Sequence, residues 1–260
     1  DNLIYKSYYN WWKNINKTVL ILIVILFGLG LFFSLVSTSL IASDKLNTNS
    51  YYFFIKHLLF IVIGIFFIIF FSSLKHEDLI KVSRLLFILF FILLILVPFF
   101  GIEVKGSKRW IDLPLLPKFQ PIELLKPFLI VILASVLSYE NNKNIYYKFF
   151  LSFLILIPVT LLLIVQPDVG QTLLTFLTWL SLIFVSGVNL IIFFTFFILL
   201  CFLLLGAIYF FSNKFGYILN RLQSFFDPTS GNDYQSEKAS EAIISGGFFG
   251  KGIGEGTLKN

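Results

Sequence analysis

The chain has 260 residues, 58% of them hydrophobic and 13% charged, with a formal net charge of +6. Its mean hydropathy of +0.90, against a charged fraction of about a quarter in ordinary soluble domains, excludes a water-soluble globule and makes bilayer the expected solvent. The 20 basic residues are scattered between apolar runs instead of gathering on one soluble face, which excludes nucleic acid as a partner.

Residues 1–17 hold Lys6, Lys13 and Lys17 beside Tyr8, Tyr9, Trp11 and Trp12, a cationic and aromatic mixture that reads as a cytoplasmic interfacial anchor. Seven apolar segments follow, over residues 18–42, 53–73, 83–100, 123–139, 147–165, 170–187 and 189–211. Each is near the length a spanning helix needs. The runs are continuously apolar and lack the period-two alternation of a barrel, so helices are expected. Pro98, Pro127 and Pro158 fall at or inside these segments, where bundle contacts tolerate a kink. The expected fold is therefore an all-α polytopic membrane protein. Its parts are a cytoplasmic segment at 1–17, a seven-helix bundle at 18–211 and an extracytoplasmic loop at 212–260.

With the N-terminus inside, the loops at 74–82 and 140–148 are also inside and carry Lys75, Lys81, Lys143 and Lys148, as the positive-inside rule prefers. Two outside stretches break that rule. Residues 101–122 carry Lys105, Lys108, Arg109 and Lys118, and residues 212–260 carry Lys214, Arg221, Lys238, Lys251 and Lys259. Cations on that side serve an anionic ligand that is itself outside, or are ordinary loop solvation.

Three stretches could carry chemistry. The first, Gly101 to Pro127, has a turn at Gly106-Ser107, positive charge at Lys108 and Arg109, and a helix start at Gln120-Pro121. Glu123 and Lys126 are three residues apart and share a helix face. An ionisable pair at the membrane edge is costly, and so marks a functional site or a self-neutralising pair near the headgroups. The second stretch is Gln166-Pro167-Asp168-Val169-Gly170-Gln171-Thr172. Asp168 is placed to cap the sixth helix, a role compatible with orienting a ligand. The third runs from Arg221 through Asp227-Pro228 to Asp233, Tyr234 and Gln235, and offers a general base beside anion-binding groups or an exposed Asp-Pro turn. Residues 236–244 could form a short amphipathic helix. The glycines at 250, 252, 254 and 256 lack the βαβ context and the Lys-Ser/Thr of a nucleotide loop. His57 and His76 are far apart in sequence and expected on opposite faces of the membrane, so a histidine metal site is not supported. The single cysteine, Cys201, sits in an apolar run as lipid-facing or packed filler. The chain has no Met and stops at Lys259-Asn260 in a glycine-rich run, which reads as a fragment.

Taken in order, the patterns GxxxxGSxRW with QPxELxKP, QPDxGQT, and RxxxFxDP with a later YQ and GGxxGxGxGxG resemble the SEDS family (shape, elongation, division and sporulation proteins), which includes FtsW and RodA. The likeness covers nearly the whole chain beyond its first helix. The ending GKGIGEGTLK is more similar to the FtsW subtype, in its alphaproteobacterial form. One departure is Ile122, where the family usually has Ser or Ala. The family's ten helices imply that three more, with the rest of the large loop, belong to the complete protein.

The resemblance implies a peptidoglycan glycosyltransferase of the inner membrane that polymerises lipid II at the division septum. Its expected companions are a class B penicillin-binding protein, other divisome proteins and membrane lipid. It implies Asp227 as catalytic base with Asp233 as second choice, and Arg109 and Lys126 on the diphosphate. Glu123 would orient Lys126, and Asp168 would organise the helix junction. Lys108, Gln171, Gln235 and Arg221 complete the expected substrate-binding set. A divalent cation, magnesium or manganese, could help neutralise the diphosphate, although no ligand set is visible in the sequence. A lipid II flippase, a RodA-like elongation polymerase and a non-enzymatic scaffold remain as alternatives.

Overall fold

The computed structural model describes residues 9, 11–39, 51–104, 107–112, 118–139, 144–210 and 234–252. They fall into two compact units, Asp1–Lys75 with Pro228–Asn260, and His76–Asp227.

In the first unit, α1 (Lys17–Phe33) begins at Asn16, whose side chain accepts from the Val19 N–H at 3.2 Å, an ordinary N-cap. It runs on into a π-helical turn at Ser34–Ser39. Its partner is α2 (Tyr52–Ser73). The two pack closely where Gly30 lies under the His57 ring, since a Cβ there would meet Cε1 at 3.4 Å. At the polar end, Trp11 Nε1 donates to Ser72 Oγ at 2.8 Å. No residue of α1 is buried and only Ile61 of α2 is. The Ile, Leu and Phe side chains along both helices face outward, which water would penalise and lipid does not. A last helix of this unit, Tyr234–Gly246, is the short amphipathic one expected near residues 236–244.

The second unit holds the core. Helix α3 spans His76–Phe100, seven residues longer at its start than the apolar run from 83 predicted. The extra turns are polar, and Glu77 and Asp78 in the first turn suit the positive end of the helix dipole. Pro98 lies inside α3, and its missing N–H strands the carbonyl of Leu94, four residues back. Gln166 supplies the donor: its Nε2 reaches Leu94 O at 3.2 Å, with Gln166 only 4% exposed. The helix ends at Phe100, and glycine follows where a Cβ would collide with the Val97 carbonyl oxygen.

The all-α class holds, with one short hairpin beyond Gly101. Strands β1 (Ile102–Val104) and β2 (Ser107–Trp110) form an antiparallel hairpin pairing Glu103 with Lys108, with a bulge after Ile102. The ladder continues as an isolated bridge between Ile111 and Phe119, whose backbones exchange bonds of 3.0 and 3.2 Å. Arg109 is the unpaired residue at the bulge and is half-buried, Ile111 is buried, and Lys108 and Trp110 on either side of Arg109 are exposed.

Helix α4 (Pro121–Ser138) starts with Pro121 in its first turn, where the absent N–H is harmless. Its buried stripe, Ile122, Leu125, Leu129, Leu133 and Leu137, follows the three-four spacing of one helical face. Helix α5 (Ile145–Val165) buries Phe149, Ser152, Leu156, Val159 and Leu163 on the same spacing. Helices α6 (Val169–Val185) and α7 (Leu190–Phe210) complete the unit. Trp179 of α6 is fully buried, ringed by Phe153, Phe176 and Phe196 with centroids 5.2–5.5 Å away. Its Nε1 donates to Ser152 Oγ at 3.0 Å, so the one polar atom of the indole is satisfied in the core.

Among the described residues five helices are long and apolar enough to cross a membrane: Lys17–Val36, Tyr52–Ser73, His76–Phe100, Pro121–Ser138 and Ile145–Val165. Val169–Val185 is a shorter apolar helix, and Leu190–Phe210 has 21 residues without a charge. The last helix, Tyr234–Gly246, is labelled α8 below.

Candidate active site at one end of the helix bundle

The second and third helices of the core unit's α4–α6 group are joined by a junction of almost no length. Asp168 caps α6, its Oδ1 accepting the Gln171 N–H at 3.3 Å, as its position predicts. The same residue's carbonyl receives Thr172 Oγ1 at 2.8 Å. Its other carboxylate oxygen, Oδ2, accepts from Gln120 Nε2 at 3.2 Å and faces Arg109 Nε at 3.6 Å. Arg109 also donates through Nη2 to the Pro167 carbonyl. The hairpin, the start of α4 and the α5–α6 junction are thus fastened at one acidic side chain that is 7% exposed.

One turn further on, Glu123, Lys126 and Gln171 close a triangle. Lys126 Nζ lies 2.7 Å from Glu123 Oε2 and donates to Gln171 Oε1 at 2.9 Å. Gln171 Nε2 donates to Glu123 Oε1. The helical spacing of Glu123 and Lys126 brings them together, and Gln171 crosses from α6 to hold both ends of the pair. An ammonium has three hydrogens; these two partners engage two of them.

Below the triangle a cavity of about 410 Å³ runs between α4 and α6, lined by Pro127, Leu129, Ile130, Leu133, Leu174, Thr175 and Thr178, with Glu123 and Lys126 at its head. The threonine hydroxyls turn back to their own helix, Thr175 Oγ1 to Gln171 O at 2.7 Å and Thr178 Oγ1 to Leu174 O at 2.8 Å. What these residues leave to line the groove is chiefly hydrocarbon.

Five residues singled out in the sequence, Arg109, Glu123, Lys126, Asp168 and Gln171, therefore meet in one connected cluster. Lys108 does not join it: it pairs with Glu103 across the hairpin and is exposed. Gln235 falls in the first turn of α8. Asp227, Asp233 and Arg221 lie outside the described residues. Two participants were not assigned a role from sequence, Gln120 and Gln166. Both stand immediately before a proline at a helix junction, a repeated Gln-Pro signal that marks them in retrospect. Among the described residues no three His, Cys, Asp or Glu side chains come together to hold a metal ion.

A bundle of membrane-length helices with a charged, internally paired cluster at one end defines a polytopic membrane protein whose site sits where helices meet short loops. The chain belongs to the FtsW/RodA/SpoVE family of cell cycle proteins, whose sequence model matches residues 17–260. A "Probable peptidoglycan glycosyltransferase FtsW" of Coxiella burnetii is 32% identical over 261 residues, covering 98% of this chain and 68% of that protein. A protein of the same name from Caulobacter vibrioides is 30% identical over 172 residues, covering 63% of this chain and 40% of that one. The fold is also similar to a solved chain described under "Structural coordination of polymerization and crosslinking by a peptidoglycan synthase complex", with a TM-score of 0.66 and 25% identity over 86% of this chain and 65% of that one. The chain spans between 40% and 58% of the length of the first curated relatives it matches.

Proposed function

We propose that the protein is a peptidoglycan glycosyltransferase that polymerises lipid II, the disaccharide-pentapeptide carried on undecaprenyl diphosphate, during septal wall synthesis. The observation that carries this reading is the Glu123–Lys126–Gln171 triangle standing at the head of an apolar groove. A lipid diphosphate has the same two parts in the same order: an anionic headgroup and a long hydrocarbon. The names of the curated relatives, from two bacteria, support the activity.

In the reaction a sugar hydroxyl of one lipid II attacks the anomeric carbon at the reducing end of the growing glycan. The new C–O bond forms as the bond from that carbon to the diphosphate oxygen breaks. The hydroxyl proton passes to a carboxylate, and the electron pair of the broken bond leaves on undecaprenyl diphosphate. Lys126 is the cation placed to meet the developing charge, held ready by Glu123 and Gln171 instead of having to be recruited. Asp227 is the first choice for the base, because it keeps the Asp-Pro pair of the family, and Asp233 the second. The described residues do not form a cation site, because both carboxylates of the cluster are already engaged by Lys126, Gln171, Gln120 and Arg109.

The accompanying topology has seven spans here, the N-terminus in the cytoplasm, and the hairpin, the α5–α6 junction and residues 212–260 outside. That hairpin and junction share one end of the bundle supports it. The partner is a class B penicillin-binding protein, in keeping with the synthase complex whose chain this fold matches. The test is polymerisation of labelled lipid II by the full chain with that partner. Asp227→Ala or Asp233→Ala abolishes product while lipid II still binds; activity surviving the double substitution removes the assigned base. A flippase would instead move lipid II across vesicles without polymerising it.

A further inference from the structure

Arg109 carries a guanidinium at a site read as accepting a diphosphate, yet its contacts run toward the protein. Nη2 donates to the Pro167 carbonyl and Nε faces Asp168 Oδ2 at 3.6 Å. Nε itself is buried with no hydrogen-bond acceptor among the described residues, and the carboxylate facing it is that of Asp168.

Asp168 in turn has both oxygens engaged. Oδ2 takes Gln120 and faces Arg109, and Oδ1 takes the N–H of Gln171. Gln171 then commits both ends of its amide, one to Lys126 and one to Glu123. The polar contacts form a single chain from β2 through the start of α6 to the ammonium of α4. A guanidinium is a rigid planar fork and fixes such a chain in a way that a lysine, a mobile point charge, does not.

We infer that Arg109 and Asp168 are positioning residues: they fix Gln171, and through it the Lys126 ammonium and the Glu123 carboxylate, without touching the diphosphate. The inference rests on the proposed reading of the cluster as a lipid-diphosphate site. Arg109 keeps 27% of its side chain exposed, so direct contact with the ligand is the competing account. The two accounts predict different coupling. If Arg109 acts only through Asp168, losing either breaks the same chain and losing both adds little. If Arg109 grips the diphosphate itself, the two losses multiply.

The experiment is a double-mutant cycle on lipid II polymerisation by the full chain with its partner, reading kcat and KM per folded molecule. Arg109→Lys keeps the charge but not the fork. Asp168→Asn keeps an N-capping side chain but not the charge. Each single change lowers kcat about tenfold or more, with KM for lipid II within about threefold of wild type, and the double variant falls within about threefold of the worse single. Near-wild-type activity of Arg109→Lys, a KM rise that follows loss of the guanidinium, or multiplicative losses in the double variant would overturn the assignment. Should Arg109→Lys fail to fold, Gln171→Met reads the same link. On that background Asp168→Asn is silent, and a further tenfold drop refutes the chain. Absence of polymerisation by the wild-type protein removes the underlying reading instead, which keeps the two failures apart.

Discussion

Pro98 and Gln166 are a matched pair: the proline leaves the Leu94 carbonyl without its helical donor, and the Gln166 side chain supplies one at 3.2 Å from the far end of α5. The pairing explains a buried glutamine in a lipid-facing bundle. It also ties the α5–α6 junction, and with it Asp168, to α3.

This relationship predicts a rescue. Gln166→Leu strands a buried carbonyl and lowers stability by about 1–3 kcal/mol. Adding Pro98→Ala gives residue 98 an N–H that can bond Leu94 O within the helix, so the double variant is more stable than Gln166→Leu alone. Thermal unfolding midpoints in detergent or nanodiscs test this, and a double variant no better than the single one contradicts the pairing.

The Trp179–Ser152 bond offers a second case of the same logic. Ser152→Ala leaves the indole N–H unpaired in the core, at a cost of about 1–3 kcal/mol. In the Trp179→Phe background the same serine change costs much less, because no buried donor remains to be stranded. Trp179→Ala is worse than either, about 3–5 kcal/mol, since it also opens a cavity among Phe153, Phe176 and Phe196.

At the triangle, Lys126→Met removes the cation while keeping its hydrocarbon length. Turnover falls about 10²–10³-fold, the effect typical of losing one preorganised charge-stabilising donor. Glu123→Gln retains a hydrogen-bond acceptor for Lys126 and is milder. Steady-state kinetics on lipid II separate the two, and equal losses would count against Lys126 as the group facing the diphosphate.

The groove below makes its own prediction. Leu174 lies on its wall and is half exposed, so Leu174→Trp fills space without entering the packed core. KM rises for lipid II with its full isoprenoid chain and stays unchanged for a short-chain analogue. An equal rise for both substrates would mean the groove does not hold hydrocarbon.

Much of this was legible in the sequence, for a physical reason: a spanning helix must be apolar along its length, so its limits show as hydropathy. Each of the seven runs accordingly contains a helix, with most described ends within a few residues; the end of the first run, at 42, lies outside the described residues. The exception is α3, where residues 76–82 are helical but polar; hydropathy measures contact with lipid and not the hydrogen-bonding state of the backbone. The hairpin escaped for a related reason, because strands of three and four residues are too short to display alternation. Asp168 as a cap and Glu123 with Lys126 as a pair were readable because both are local. Gln171 was picked out, but its bond to Lys126 spans 45 residues of sequence, and no local pattern reveals such a partner. The bond from Gln166 to Leu94 spans 72.

The cluster holds two cations and two carboxylates, arranged as Lys126 with Glu123 and Arg109 with Asp168, so its formal charges sum to zero. An unbalanced basic patch at a bilayer surface attracts whatever acidic phospholipid surrounds it, and would be occupied before a scarce precursor arrived. A balanced one casts little field beyond a Debye length. On the proposed lipid-diphosphate reading, discrimination against the bulk membrane then comes from exchange of partners at the ammonium at close range instead of from total charge.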